Sequence, residues 1–168
     1  MLGIALVFAA ALRPGDAPIS VRLETGYVQP DVDVSTRGAG AGASVAYHLT
    51  DQFSAVAGAS ESVLWVAAPA GGGPRETRHL TMVSGGLEAL FDATPVAPFV
   101  ELCLAGLVPR TAGYSIAVRT TLGADWRLAR GIAIGLVVRS LTPLNAPGGI
   151  TSVAGTEAAF RLTWIPTR

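Results

Sequence analysis

Between residues 115 and 126 the chain sorts its side chains by parity. Ile116, Val118, Leu122, Ala124 and Trp126 occupy one set of alternate positions, and Ala117, Arg119, Thr121, Gly123 and Asp125 occupy the other. Successive side chains of a strand point to opposite faces, so this segment has one apolar and one polar wall. The alternation recurs in eight segments, predicted at residues 19–28, 38–49, 52–66, 77–91, 98–108, 114–126, 131–141 and 152–165. Each meets the roughly 9–11 residues that a tilted strand needs to cross a bilayer. The longest apolar run, residues 1–12, falls short of the roughly 18 residues of a spanning helix. The pattern predicts an all-β chain: an eight-stranded antiparallel up-and-down transmembrane β-barrel, lipid outside and a polar lumen within.

The connections alternate in kind. Residues 50–51, 92–97 and 127–130 are short and polar or carry proline, whereas 29–37, 67–76 and 142–151 are longer and rich in Gly, Pro, Asp, Ser and Thr; only 109–113 breaks the rhythm. Tight turns alternating with long loops are the arrangement of outer-membrane barrels, turns toward the periplasm and loops outward. The aromatic residues mark the same two levels. Tyr47, Phe53, Phe91, Phe99, Trp126 and Trp164 fall beside the short turns, and Tyr27, Trp65 and Tyr114 at the opposite ends. Amphipathic rings favour the headgroup level, so these nine are expected to form two girdles, with Phe160 between them.

Glycine supports a closed sheet. Gly38, Gly40 and Gly42 alternate with Ala39, Ala41 and Ala43, where a soluble sheet would carry bulky residues. The lumen of an eight-stranded barrel is only wide enough to be filled by side chains, so small inward residues make room for large ones. Charge is scarce, 14% of residues against about 25% in a typical soluble domain. The 12 cations, all arginine, balance 12 anions, which argues against nucleic acid as a partner. Cys103 is the only cysteine, so no internal disulfide forms; it is expected to be a small apolar wall residue.

Residues 1–17 combine an apolar core with a small-residue exit, cleavable after Ala11 or Ala17, and are expected to be a secretory signal peptide preceding a barrel domain at 18–168. The basic residue that normally precedes such a core is absent.

Two hairpins, "GAGAGASVAYHLTDQFSAVAGAS" and "SIAVRTTLGADWRLARGIAIGLVVRSL", share a small-residue strand, an aromatic, a short polar turn and a returning strand. They resemble the central hairpins of the eight-stranded outer-membrane barrel family that includes OmpA, OmpX and the opacity-like porins, as does "APFVELCLAG". The last strand alternates apolar residues and closes on Trp164, similar to the family's signal to the outer-membrane assembly machinery, although Ile165 to Arg168 follow it here. The resemblance implies the bacterial outer membrane, its lipid and that machinery as partners. It specifies fold better than activity.

The inward parity collects the membrane-level charge: Arg22, Glu24, Glu88, Glu101, Arg119, Asp125, Arg139, Glu157 and Arg161. An unpaired charge in a narrow low-dielectric lumen is costly, so these nine are expected to pair as a plug. The functional reading of the same residues is a narrow path for ions or small polar solutes. A third reading, a soluble ligand-binding barrel of the lipocalin or avidin type, needs the parity reversed. Catalysis finds no support: His48 and His79 lie near strand ends, no G-x-S-x-G elbow exists, no cluster has metal-ligand spacing, and Gly71 to Gly73 lacks the partner residues of a phosphate loop. The expected role is structural, or recognition of an unspecified partner through loops bearing Asp31, Asp33, Arg37, Arg75, Glu76 and Arg78, without cofactor or metal.

Overall fold

The computed structural model describes residues 19–30, 36–66, 76–91, 95–109, 114–129, 131–144 and 155–166. The expected signal peptide, Asp31, Asp33, Arg75 and Gly71 to Gly73 lie outside the described residues. Eight strands run in order: β1 (Ile19–Pro30), β2 (Thr36–His48), β3 (Phe53–Val66), β4 (Glu76–Leu90), β5 (Val96–Pro109), β6 (Ser115–Ala129), β7 (Ile132–Pro143) and β8 (Gly155–Trp164). Each pairs antiparallel with its sequence neighbour, and β8 returns to β1 with Val21 opposite Trp164 and Glu24 opposite Arg161. Closure leaves no sheet edge, which is the condition for strands to lie in hydrocarbon.

Local chemistry sets the registers. In the β2–β3 turn the Thr50 hydroxyl accepts from the backbone N–H of Gln52 and Phe53 at 3.2 and 3.0 Å, and Leu49 N–H reaches Phe53 O at 2.8 Å. A threonine hydroxyl mimics a backbone turn in this way, and the hairpin then pairs His48 with Ser54. At the β6–β7 turn the register shifts between Arg127 and Ala129, and Gly131 adopts φ 82°, a left-handed conformation that a side chain disfavours.

The walls are sorted in the sense opposite to a soluble barrel. Leu104, Leu136 and Phe160 are 61%, 62% and 69% exposed on the outside, while Glu88 and Arg161 are 0% and 2% exposed inside. Ile116 and Leu122 point outward; Arg119 and Asp125 point inward. Apolar side chains therefore do not converge on a dry centre, and the lipocalin-like reading is corrected by this parity. Tyr27, Phe53, Trp65, Phe91, Tyr114, Trp126 and Trp164 are exposed on the outer wall, and Tyr47 is half-buried there.

Phe99 is a correction. It was expected in the girdle from its place near a strand end, yet it is 2% exposed and sits in the lumen beside Val137 and Ala159. The strand begins at Val96 rather than residue 98, and Phe99 shares parity with Glu101. A Cβ at Gly123 would lie 2.7 Å from Phe99 Cε1, so the ring occupies space that a glycine vacates. Cys103 is corrected likewise: it is a buried lumen residue rather than part of the apolar wall.

Candidate functional site

The lumen is layered. Toward the long-loop end lies an apolar layer of Met82, Ala105, Leu107 and Ala117, with Leu80 and Leu141 packed against it. Charge occupies the layer below. All nine residues expected there face inward, carried by β1, β4, β5, β6, β7 and β8. β2 and β3 contribute none of them. They present Gly38, Gly40, Gly42, Ser44, Ser54, Gly58, Ser60 and Ser62, a low wall across the barrel from β6 and β7. The glycines thus stand where long arginines need depth.

The nine side chains form one connected network. Arg22 donates bidentately to Glu88, Nη1 to Oε2 at 2.7 Å and Nη2 to Oε1 at 2.6 Å. Arg139 donates to Glu157 at 3.2 Å and also to Glu24. Arg119 donates to Glu101, which further accepts from Cys103 Sγ at 3.3 Å and Thr121 Oγ1 at 3.4 Å. Arg161 joins these groups. Its Nε donates to Glu24 at 2.7 Å, and its terminal nitrogens lie 3.5 Å from Glu88, 3.7 Å from Glu101 and 4.0 Å from Asp125. Its guanidinium also stacks 4.2 Å from the Phe99 centroid. Planar, permanently charged guanidinium suits this role, because one group engages several carboxylates at fixed angles.

Five carboxylates face four guanidiniums here, a formal excess of one negative charge. Asp125 is the most weakly held acid: its Oδ2 accepts from Thr163 at 3.4 Å, and its buried Oδ1 has no hydrogen-bond partner among the described residues. Between the two layers a cavity of about 50 Å³ remains, bounded by Ser60, Ser62, Arg119, Arg139 and Glu157 and by Leu64, Leu80 and Met82. That is room for a few water molecules.

Two arrangements outside the network were not legible as sites in the sequence. His48 Nδ1 lies 2.9 Å from Ser54 Oγ at the short-turn mouth. The hairpin register, which places them directly opposite, was the available signal. A serine–histidine contact invites comparison with acyl-transfer chemistry, but Ser54 is 1% exposed and its oxygen is closed to a substrate. His79 Nδ1 lies 3.3 Å from Glu61 on the outer wall. Among the described residues no group of three His, Cys, Asp or Glu side chains is placed to hold a metal ion.

No protein-family model matches the chain, and no curated protein matches its sequence. Solved structures do match its fold. The N-terminal β-barrel domain of Pseudomonas aeruginosa OprF is similar at TM-score 0.56 and 14% identity, over 90% of this chain and 100% of that one. The outer membrane protein Ail of Yersinia pestis, in a phospholipid bilayer nanodisc, is similar at TM-score 0.59 and 9% identity, over 90% and 100%. The chain has the closed eight-stranded fold of these outer-membrane barrels. Natural barrels of this fold sit in bacterial outer membranes, and the apolar outer wall of this chain is of the kind that meets lipid. A de novo designed transmembrane β-barrel is similar to the same degree, at TM-score 0.59 and 12% identity, over 92% of this chain and 100% of the design. A designed barrel thus reaches the same likeness as natural ones, so the function of this barrel is argued from its lumen and surface rather than from its architecture.

Proposed function

We propose that this chain is a small outer-membrane barrel whose lumen is closed by its own salt bridges, and that it serves a structural or surface-recognition role without catalysis. One observation carries the reading: Arg161 stands among four carboxylates from β1, β4, β5 and β6 and so ties opposite walls together across the axis. Apolar side chains from β4 to β7 narrow the lumen above the charge, and the cavity beside them is small. A conducting pore needs a continuous wet path, and the salt bridges that cross the lumen speak against one. Recognition then falls to the long loops and their margins, where Arg37 and Arg78 stand exposed. The matched Ail and OprF structures support the architecture of this reading and leave its partner open.

Purified barrel inserted into a planar bilayer tests the closed lumen. Silent insertion is the expected result, with insertion competence verified by protease protection of the same preparation in lipid vesicles. Stepwise conductance from the unmodified chain would establish the alternative, a narrow channel for ions or small polar solutes.

A further inference from the structure

The lipid-facing wall is not uniform. On β5 to β8 it is bulky, as Leu104 and Leu136 illustrate. On β2 and β3 its middle is built mostly of alanine, Ala39, Ala41, Ala43, Ala55, Ala57 and Ala59, flanked by Val45 and Val63. Beside that flat surface stands an acid–base pair. Glu61 and His79, on adjacent strands, share the outward parity of Trp65 and Val83, with side chains 52% and 34% exposed and 3.3 Å apart. Glu61 lies eight residues from Phe53 and four from Trp65, the β3 residues at the two girdle levels. At about 3.3 Å per residue along a strand tilted by about 40°, that places the Glu61 backbone about 10 Å inside the level of Trp65. Ionisable side chains at such depth ordinarily face protein or water rather than lipid.

We propose that the Glu61–His79 pair and the alanine face beside it seat a second copy of this chain, packed about a two-fold axis so that Glu61 of each copy meets His79 of the other. Charge complementarity chooses the occupant. A two-fold interface sets one patch against itself, and a patch carrying an acid next to a base is self-complementary. Imidazole has a second nitrogen, so His79 can hold its own Glu61 through Nδ1 and meet the other copy's through Nε2. Small residues let two backbones approach closely, and close packing rather than hydrophobicity drives association in lipid. An acyl chain would satisfy the alanines and leave the acid–base pair in hydrocarbon. The proposal rests on the lipid-facing assignment of this wall and not on the closed lumen.

Single cysteines at Ala57 and at Leu136, each in a Cys103→Ser background, test it in lipid vesicles at high lipid-to-protein ratio. Oxidation is expected to yield at least tenfold more disulfide-linked dimer from the Ala57 site than from the Leu136 site. Energy transfer between labelled copies is expected to fall at least tenfold on Ala57→Leu or Glu61→Leu, with the heat-resistant folded band on gels retained. Equal cross-linking at the two sites overturns the proposal. So does a monomer that carries a lipid on this face when released from nanodiscs for mass measurement. Quenching of Trp65 by brominated lipid checks the wall assignment separately, so a failure there is distinguishable from a failure to dimerise.

Discussion

The Arg161 guanidinium sits over the Phe99 ring, 4.2 Å from its centroid, and its nitrogens reach carboxylates of other strands. The aromatic ring closes one side of the cation, which leaves its nitrogens to the acids. Cation–π contact is strongest when the cation is desolvated, as it is here. The ring therefore belongs to the charge network as much as any acid does.

Removing that cation leaves Glu88 and Glu101, 0% and 1% exposed, with less compensation than burial requires. Arg161→Met is expected to destabilise the barrel by about 3–5 kcal/mol, as breaking a buried ion pair does. Arg161→Lys is expected to recover little, since a compact ammonium cannot span four acids and stack on a ring. Urea titration of the barrel folded in vesicles, read by tryptophan emission, measures both. A stability unchanged by Arg161→Met contradicts the account of the plug.

Arg22 and Glu88 form the best-aligned pair, with two bonds at 2.7 and 2.6 Å. Arg22→Met and Glu88→Gln together are expected to cost less than the sum of the two made singly. The coupling energy from the cycle is expected within about 0.5–3 kcal/mol, the range for directly bonded groups. Additive costs would mean that the pair holds nothing together.

Gly123 accommodates Phe99. Gly123→Val is expected to cost about 1–3 kcal/mol by overpacking, and Phe99→Leu in the same chain is expected to restore part of the loss. Refolding yield and urea midpoint measure the rescue. If Gly123→Val is neutral, Phe99 does not fill the lumen as described.

Trp65, Trp126 and Trp164 are all exposed on the outer wall near strand ends. Their emission is expected to be quenched by lipids brominated on the chain near the headgroup more strongly than by lipids brominated at the chain end, and little by iodide. The reverse order of quenching contradicts the girdle placement.

Much of the fold was legible because a strand of period two that must divide lipid from polar groups leaves one readable alternation. The β3 strand, expected at 52–66, runs Phe53–Val66, and β8, expected at 152–165, runs Gly155–Trp164. Phe99 was misplaced because nearness to a turn was weighed above parity, although Glu101 two residues on already fixed its side. The low β2–β3 wall was legible as glycine making room, but the arginines that use the room come from strands far away in sequence. Pairing partners such as Arg139 and Glu24, on β7 and β1, depend on where closed walls bring side chains, which no local pattern encodes. The His48–Ser54 contact needed the turn register, and the turn length alone did not supply it. The apolar layer toward the loops escaped notice because Leu107 and Met82 look like ordinary strand residues until their parity is set beside that of Glu101 and Glu88.

The orientation of the two walls is tested most directly by nitroxide labels placed one at a time from residue 100 to 105 along β5, in vesicles and with Cys103 replaced by serine elsewhere than at its own position. Labels at Val100, Leu102 and Leu104 should collide freely with dissolved oxygen and hardly at all with a water-soluble nickel chelate. Labels at Glu101, Cys103 and Ala105 should be immobile and shielded from both, and native Cys103 should resist aqueous maleimide until the barrel unfolds. An inverted alternation, with the even positions shielded and the odd ones swept by oxygen, would contradict a barrel that meets lipid with its leucines and itself with its charges.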